Sequence, residues 1–349
     1  MLFRSDAAAS VVFVSCDTSS IPGYLVAECE AKIRGRLESF PVDALVLNAT
    51  HTHTAPGARD GFYAFEDLPA ETREGLMLPP EYRAFLTDRI AEAVLESWQT
   101  RAPGKVAWGL GHAVVGHNRR IGYLREFAVQ EFPGQKIERT ARMYGKTNDP
   151  DFSHVEGYED HAVQFLFTFD ANDRLTGAVV NVPCPSQVTE NWSMVSADYW
   201  HDVRELLGER HGRGLFILPQ CSAAGDQSPH LLLHKPAEAR MLALKEGVDL
   251  RTLDFDAAQR RDIARRIGAA FDDALRWAGK DRRDRVALRH VVKMLDLQRR
   301  MVKEDEYRRN LGWIEELANT DTPKKASLVR RCQDVVQKYA AQGAAPSFP

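Results

Sequence analysis

His51 and His53 stand one residue apart in the segment Asn48-Ala49-Thr50-His51-Thr52-His53-Thr54. On an extended chain, residues two apart point to the same side, so both imidazoles can face one metal ion. The flanking threonines are small hydroxyls that leave room for a substrate and can hold the rings by hydrogen bonds. Ala55-Pro56-Gly57 then turns the chain. A second segment runs from Gln220 to His230 and contains Ala223-Ala224-Gly225-Asp226-Gln227-Ser228-Pro229. Its small residues let a ligand approach the backbone, while Asp226 offers an acceptor and Ser228 a hydroxyl. As structure alone, the same residues read as a tight turn capped by Asp226.

Asn118-Arg119-Arg120 places a guanidinium that could clamp a carboxylate or a polarised carbonyl oxygen, although an arginine pair is also common on surfaces. Cys184 lies between Pro183 and Pro185 on a rigid extended backbone, followed by Ser186-Gln187 and, later, Ser196-Ala197-Asp198-Tyr199. Such a thiol can be a metal ligand, a nucleophile or a buried spacer, and spacing leaves all three open.

The elements that must position these groups follow from hydrophobic periodicity. Val11 to Val14 reads as a buried strand, residues from about Tyr24 to Glu38 as an amphipathic helix through Leu25, Cys29, Ile33 and Leu37, and Ala44 to Asn48 as a second strand. Strand, helix and strand in this length predict a βαβ unit with parallel strands, and put His51 and His53 just past a strand's carboxyl end. A helix is expected from Pro79-Pro80 to Trp98, an extended stretch over 105–115, and a hairpin from Val163–Phe169 through Asn172-Asp173 into Gly177–Val180. Another helix is expected over Tyr199 to Arg210 and a buried strand over Leu215 to Leu218. Beyond about 235 the chain is charged and helical. Ile263, Ile267, Phe271 and Leu275 mark one helix and two more fill 302–342, with a strand-like Val286 to Met294 between them and an irregular end from Gly343 to Pro349. The expected fold class is therefore α/β: a mixed sheet with a βαβ start and flanking helices, followed by a charged helical carboxyl-terminal region. The expected division is a catalytic core over 1–235 and a mainly helical extension of the same domain over 236–349.

Composition narrows the function classes. The 349 residues are 44% hydrophobic and 27% charged, with a net charge of −3, which gives no footprint for nucleic acid or an anionic membrane surface. No run approaches the roughly 18 apolar residues of a membrane span. Arg4 and Asp6 precede the first strand, so the opening residues lack the order of a secretory signal. Five scattered cysteines do not make a disulfide scaffold. A small-molecule or lipid-like substrate is the expected partner, and oligomeric state and compartment are left open.

Taken in order, these motifs resemble the amino-terminal catalytic domain of the neutral, non-lysosomal ceramidases over roughly residues 10–230. That family's Thr-His-Thr-His-Ser-Gly-Pro-Gly is matched by Thr50 to Gly57, with Thr54 and Ala55 as variants, and its Gly-Asp-Val-Ser-Pro-Asn by Gly225 to His230. Asn118-Arg119 loosely matches an Asn-containing arginine motif, and Ser196-Ala197-Asp198 a Ser-Gly-Asp. The resemblance implies one catalytic zinc (Zn2+) that activates water against an N-acyl amide, releasing a fatty acid and a sphingoid base. It implies His51 as a zinc ligand, with His53, Ser228, Asp226 and Arg119 in the active site. The family's second histidine ligand falls on Cys184, which is then expected to ligate as a thiolate. The family's remaining ligands, a glutamate and a tyrosine, have no assigned counterpart in 235–349, and both ends of the chain are expected to be shortened. The resemblance also implies a secreted or periplasmic protein if the true start lies upstream. The expected activity is thus a zinc-dependent hydrolase of a ceramide-like amide or a related polar-lipid or glycan substrate. Two other expectations stand beside it: a metal-free hydrolase with Cys184 or Ser228 as nucleophile, and a non-catalytic binding domain of the same fold.

Overall fold

The computed structural model describes all residues except 1, 6–9, 38–39, 41–43, 60–67, 131–135, 299, 322–324, 343–346 and 349. The chain divides into two units: Met1–Asp60, Met77–Tyr123 and Ala141–His290 form the first, and Gly61–Leu76, Leu124–Thr140 and Val291–Pro349 the second.

In the first unit, β1 (Leu2–Ser5) pairs antiparallel with β2 (Ser10–Cys16). After α1 (Gly23–Arg36), β3 (Ala44–Ala49) pairs parallel with β2 from Val11↔Ala44 to Cys16↔Ala49, which is the expected βαβ unit. The four-residue spacing of α1 works as predicted, since Leu25, Cys29 and Ile33 are buried. They join Val12, Val14 and the Ile90, Ala91 and Val94 stripe of α3 (Pro79–Gln99) in one apolar cluster. The short α2 (Ala70–Arg73) precedes α3 and belongs to the second unit.

A larger sheet has the order β11-β10-β9-β4, from β4 (Gly104–His112), β9 (Ala162–Asp170), β10 (Leu175–Val182) and β11 (Phe216–Cys221). β9 is antiparallel to both β4 and β10, whereas β10 and β11 run parallel from Gly177↔Phe216 to Val182↔Cys221. Alternation puts Val163, Phe165, Phe167 and Phe169 on the buried face of β9. Against them packs α6 (Phe255–Ala278), whose Phe271 meets Phe165 and Phe167 edge-on at ring separations of 5.7 and 5.2 Å. α6 comes close enough to β4 that a Cβ at Gly111 would lie 3.0 Å from the Ala270 carbonyl oxygen. Between β10 and β11, α4 (Tyr199–His211) buries Tyr199, Trp200, Val203 and Leu207 in the same core.

The parallel ends of the two sheets are tied by one side chain. The Asn48 amide accepts from the Cys221 N–H at 3.2 Å and donates to the Cys221 carbonyl at 3.5 Å, copying one rung of a ladder. The loops that leave β3 and β11 therefore emerge side by side at the carboxyl ends of their strands.

Several segments depart from the periodicity reading. Residues 120–160, in which the pattern named no element, contain β6 (Arg120–Gln130), β7 (Lys136–Met143) and β8 (Phe152–Val155) in the order β7-β6-β8. β5 (His117–Asn118) and β12 (Gln227–Ser228) pair antiparallel, and α5 (Lys235–Glu246) follows His234. Both α5 and α6 belong to the first unit. Val286 to Met294 is not a strand: its branched residues have no ladder to join, and Val291, Val292 and Met294 are exposed. The strand β13 is only Leu297–Gln298, and it pairs with β14 (Ser347–Phe348), so part of the expected irregular end is extended and paired, while 343–346 and 349 lie outside the described residues. In the second unit, α7 (Glu304–Ala318) and α8 (Lys325–Ala341) form a helical hairpin closed by Leu317, Cys332 and the stacked rings of Tyr307 and Tyr339 at 4.4 Å. No helix among the described residues is long and apolar enough to cross a membrane.

Phe271→Ala removes the ring that two β9 phenylalanines pack against. It is expected to lower unfolding stability by about 3–5 kcal/mol in urea titration followed by circular dichroism.

Candidate active site

The loop after β3 is shaped by hydroxyls. Thr52 and Thr54 are buried, and both donate to the Ser196 carbonyl, at 3.0 and 3.1 Å. Ser196 in turn donates its N–H to the Thr54 carbonyl at 2.9 Å, and the Ser186 hydroxyl donates to the Thr50 carbonyl at 2.9 Å. Behind them sits the buried Asp198 carboxylate, which accepts from Thr189 N–H and Thr189 Oγ1, both at 2.7 Å, and from Tyr199 N–H at 2.8 Å. Asp198 itself caps α4 with φ at 55°. Thr50, Thr52 and Thr54 are thus buried, while His51 is half-buried and His53 exposed.

His51 is held at φ 61°, and its Nδ1 lies 2.6 Å from the Ser19 carbonyl oxygen. A carbonyl only accepts, so Nδ1 carries the hydrogen and Nε2 presents a lone pair. Burial lowers the His51 pKa and so favours this neutral form. His53 Nδ1 lies 3.3 Å from Glu190 Oε2, and His53 Nε2 lies 2.8 Å from the Gln187 side-chain nitrogen. Gln187 Oε1 accepts from Arg119 Nη1 at 3.5 Å, which fixes its nitrogen toward His53. The His53 hydrogen therefore belongs on Nδ1 and its lone pair on Nε2. The two Nε2 atoms are 3.4 Å apart.

Arg119 anchors the second cluster. Its Nη1 donates to the Tyr144 hydroxyl at 3.0 Å and its Nη2 to the Gly225 carbonyl at 2.9 Å. Its backbone N–H donates to the Asp226 carbonyl at 2.8 Å, and the Asn118 amide donates to Asp226 Oδ2 at 3.0 Å. Asp226 thus holds β5 to the turn before β12. The Tyr144 hydroxyl donates to Ser228 Oγ at 3.3 Å, and the His230 N–H donates to the same oxygen at 3.2 Å. Ser228 is fully buried and supports Tyr144 from behind; Tyr144, not Ser228, lines the adjoining cavity.

Glu190 bridges two imidazoles, with Oε1 3.4 Å from His230 Nε2 and Oε2 on His53. The His230 and His53 contacts hold its carboxyl down at about 2. Burial opposes protonation of His230, but Glu190 outweighs it and the His230 pKa is raised. The His230 contribution to stability is therefore fully present below its ordinary 6.5 and lost as pH rises through the elevated folded value. The Glu190 contribution is present above 4.5 and lost as pH falls toward about 2.

The expected metal ligands are placed differently from one another. Nitrogens on a tetrahedral zinc at 2.0–2.1 Å are roughly 3.3 Å apart, so the 3.4 Å separation of the His51 and His53 Nε2 atoms matches two positions of such a shell, with Gln187 at 2.8 Å now on the His53 nitrogen. Cys184 is not brought into a metal-binding group with them. It is fully buried in the apolar core, its sulfur donates to the Pro185 carbonyl at 3.4 Å, and burial pushes its thiol well above the ordinary value. Among the described residues there is no group of three or more His, Cys, Asp or Glu that could hold a metal ion. The donor set seen here is two nitrogens.

Four residues of the cluster had no role in the sequence reading: Tyr144, Gln187, Glu190 and His230. Gln187 and His230 stood inside segments already singled out, and Glu190 follows Gln187 by three residues, which was a usable signal. Tyr144 had none, because it enters through the turn after β7.

A scan against protein-family models gives no match, and no curated protein matches the chain. Solved structures do. A ceramidase described as complexed with C2 superposes with a TM-score of 0.55 at 18% identity, covering 80% of this chain and 38% of that one. The neutral ceramidase from Pseudomonas aeruginosa gives 0.53 at 20% identity, covering 79% of this chain and 38% of that one. The chain thus has the fold of part of a neutral ceramidase and spans less than two fifths of the length of those proteins.

Asp198→Ala leaves two buried backbone donors unmatched and is expected to cost about 2–5 kcal/mol of stability in chemical denaturation. In Glu190→Gln the carboxylate that offsets burial is gone, so the His230 pKa is expected to fall from its raised value, read from the imidazole proton shifts by NMR titration.

Proposed function

We propose that this chain carries the catalytic core of a ceramidase-like, zinc-dependent hydrolase that cleaves an N-acyl amide. The observation that carries the reading is the pair of imidazole Nε2 atoms 3.4 Å apart beside the Arg119–Tyr144 hydrogen bond. His51 and His53 would hold the zinc, which when bound supplies an acidified water and a polarised carbonyl. The chain's own residues do the rest. The Ser19 carbonyl and Glu190 keep the two rings in the tautomers that put a lone pair on each Nε2, and the one on His53 accepts from Gln187 until a metal displaces it. Arg119 donates to the Tyr144 oxygen, so the phenol hydrogen is available on the cavity side once it turns from Ser228 to a substrate carbonyl. The Arg119 guanidinium lies 5.4 Å from the centre of the Tyr144 ring, where its charge favours negative charge developing on that carbonyl oxygen. Ser228 and Asp226 act as supports, and the full burial of Ser228 and Cys184 tells against either as an exposed nucleophile.

A second reading, a binding domain that keeps the fold without turnover, draws support from the two-nitrogen donor set, since catalytic zinc sites use three protein ligands. One set of measurements separates them. Protein purified with zinc should contain close to one zinc per chain by mass spectrometry, lost in His51→Ala. It should release amine from a short N-acyl amide, with kcat/KM reduced about 100-fold or more in Arg119→Met and Tyr144→Phe. Zinc-free protein that releases no amine from any N-acyl amide would sink the hydrolase reading and leave the binding domain.

A further inference from the structure

A cavity of about 910 Å³ opens beside Tyr144 and Glu190, at the upper end of the roughly 300–1,000 Å³ of ligand pockets. Its walls carry Tyr144, Asn148, Glu190, His230, Glu238 and Gln259. Several of these are planar side chains with paired donors and acceptors, and Leu231, Leu232, Pro236, Ala239 and Phe255 supply apolar surface between them.

At the cavity wall, Gln259 is only 4% exposed. Its nitrogen donates to the Pro229 carbonyl at 2.9 Å and lies 3.4 Å from Glu238 Oε1. Its Oε1 has no hydrogen-bond partner among the described residues. A buried amide oxygen without a donor is costly, and a ligand hydroxyl that reached it would remove that cost. Beside it, Glu238 offers carboxyl oxygens to a ligand hydroxyl, and burial raises its pKa. Phe255 and the Tyr144 ring add aromatic faces of the kind that cover the C–H side of a pyranose.

Building on the hydrolase reading, we propose that this cavity binds a polyhydroxylated, glycosyl-type group on the amine side of the amide, so that the substrates are N-acylated amino sugars. The reaction balances with water alone. The water oxygen bonds to the acyl carbon, the C–N bond breaks, and the nitrogen leaves with a proton from that water, giving a carboxylic acid and a free amino sugar.

The test uses the whole chain with zinc and three probes: N-acetylglucosamine, its β-1,4-linked disaccharide, and N-acetylethanolamine, which has the amide without the ring. Binding is read by saturation-transfer NMR and calorimetry, and turnover by released amine. The disaccharide is expected to bind at least about tenfold tighter than N-acetylethanolamine. Gln259→Leu should remove that preference, and Asn148→Ala, at an exposed part of the wall, should reduce it about threefold without a change in melting temperature. Equal affinity for all three probes, or a preference untouched by both variants, overturns the sugar assignment even if N-acetylethanolamine is cleaved. Gln259-dependent sugar binding with no amine released from any probe instead overturns the hydrolase reading and upholds the ligand class.

Discussion

The buried carboxylate of Asp198 is the constraint on which the site depends. Its oxygens accept from the start of α4 and from both donors of Thr189, so one side chain fixes a helix end and the loop that carries Gln187 and Glu190. Two residues earlier, the Ser196 carbonyl takes the hydroxyls of Thr52 and Thr54, which sets the face on which His51 and His53 emerge. A carboxylate in the interior is tolerable only when its lone pairs are matched, and here backbone and hydroxyl donors match them. Remove it, and three segments lose their common reference.

The strand ends supply the second level of order. β3 and β11 belong to different sheets, yet the Asn48 amide joins them by two hydrogen bonds to Cys221. This brings the histidine loop and the Gly225–Ser228 turn to one edge, the place where α/β sheets hold ligands. Below that edge the α6 side chains fill the hollow of β9 and β4, so the edge rests on a rigid layer.

Polarity within the site is arranged in opposition. Arg119 directs its charge at Tyr144 and Gln187, while Glu190 directs its charge at His53 and His230. Between these two charges the imidazoles are held with their Nε2 atoms 3.4 Å apart. The neighbouring cavity adds amide and carboxyl groups to a lining that also carries leucines and a phenylalanine.

The sequence by itself determined the local terms. Four-residue spacing placed α1 and alternation placed the phenylalanines of β9, because each depends only on backbone period and burial. Motif reading named His51, His53, Cys184, Arg119, Asp226 and Ser228; five of these six lie in one cluster of contacts in the first unit, and Cys184 lies in the apolar core. Roles were another matter. That Ser228 sits sealed behind Tyr144, that Cys184 is a core thiol, and that Glu190 grips two imidazoles are facts of long-range packing, set by which loops meet at the joined strand ends. Val286 to Met294 failed as a strand for the same reason, since a strand exists only where a partner edge is offered. Periodicity is a property of neighbours along the chain; a hydrogen-bond partner is a property of neighbours in space.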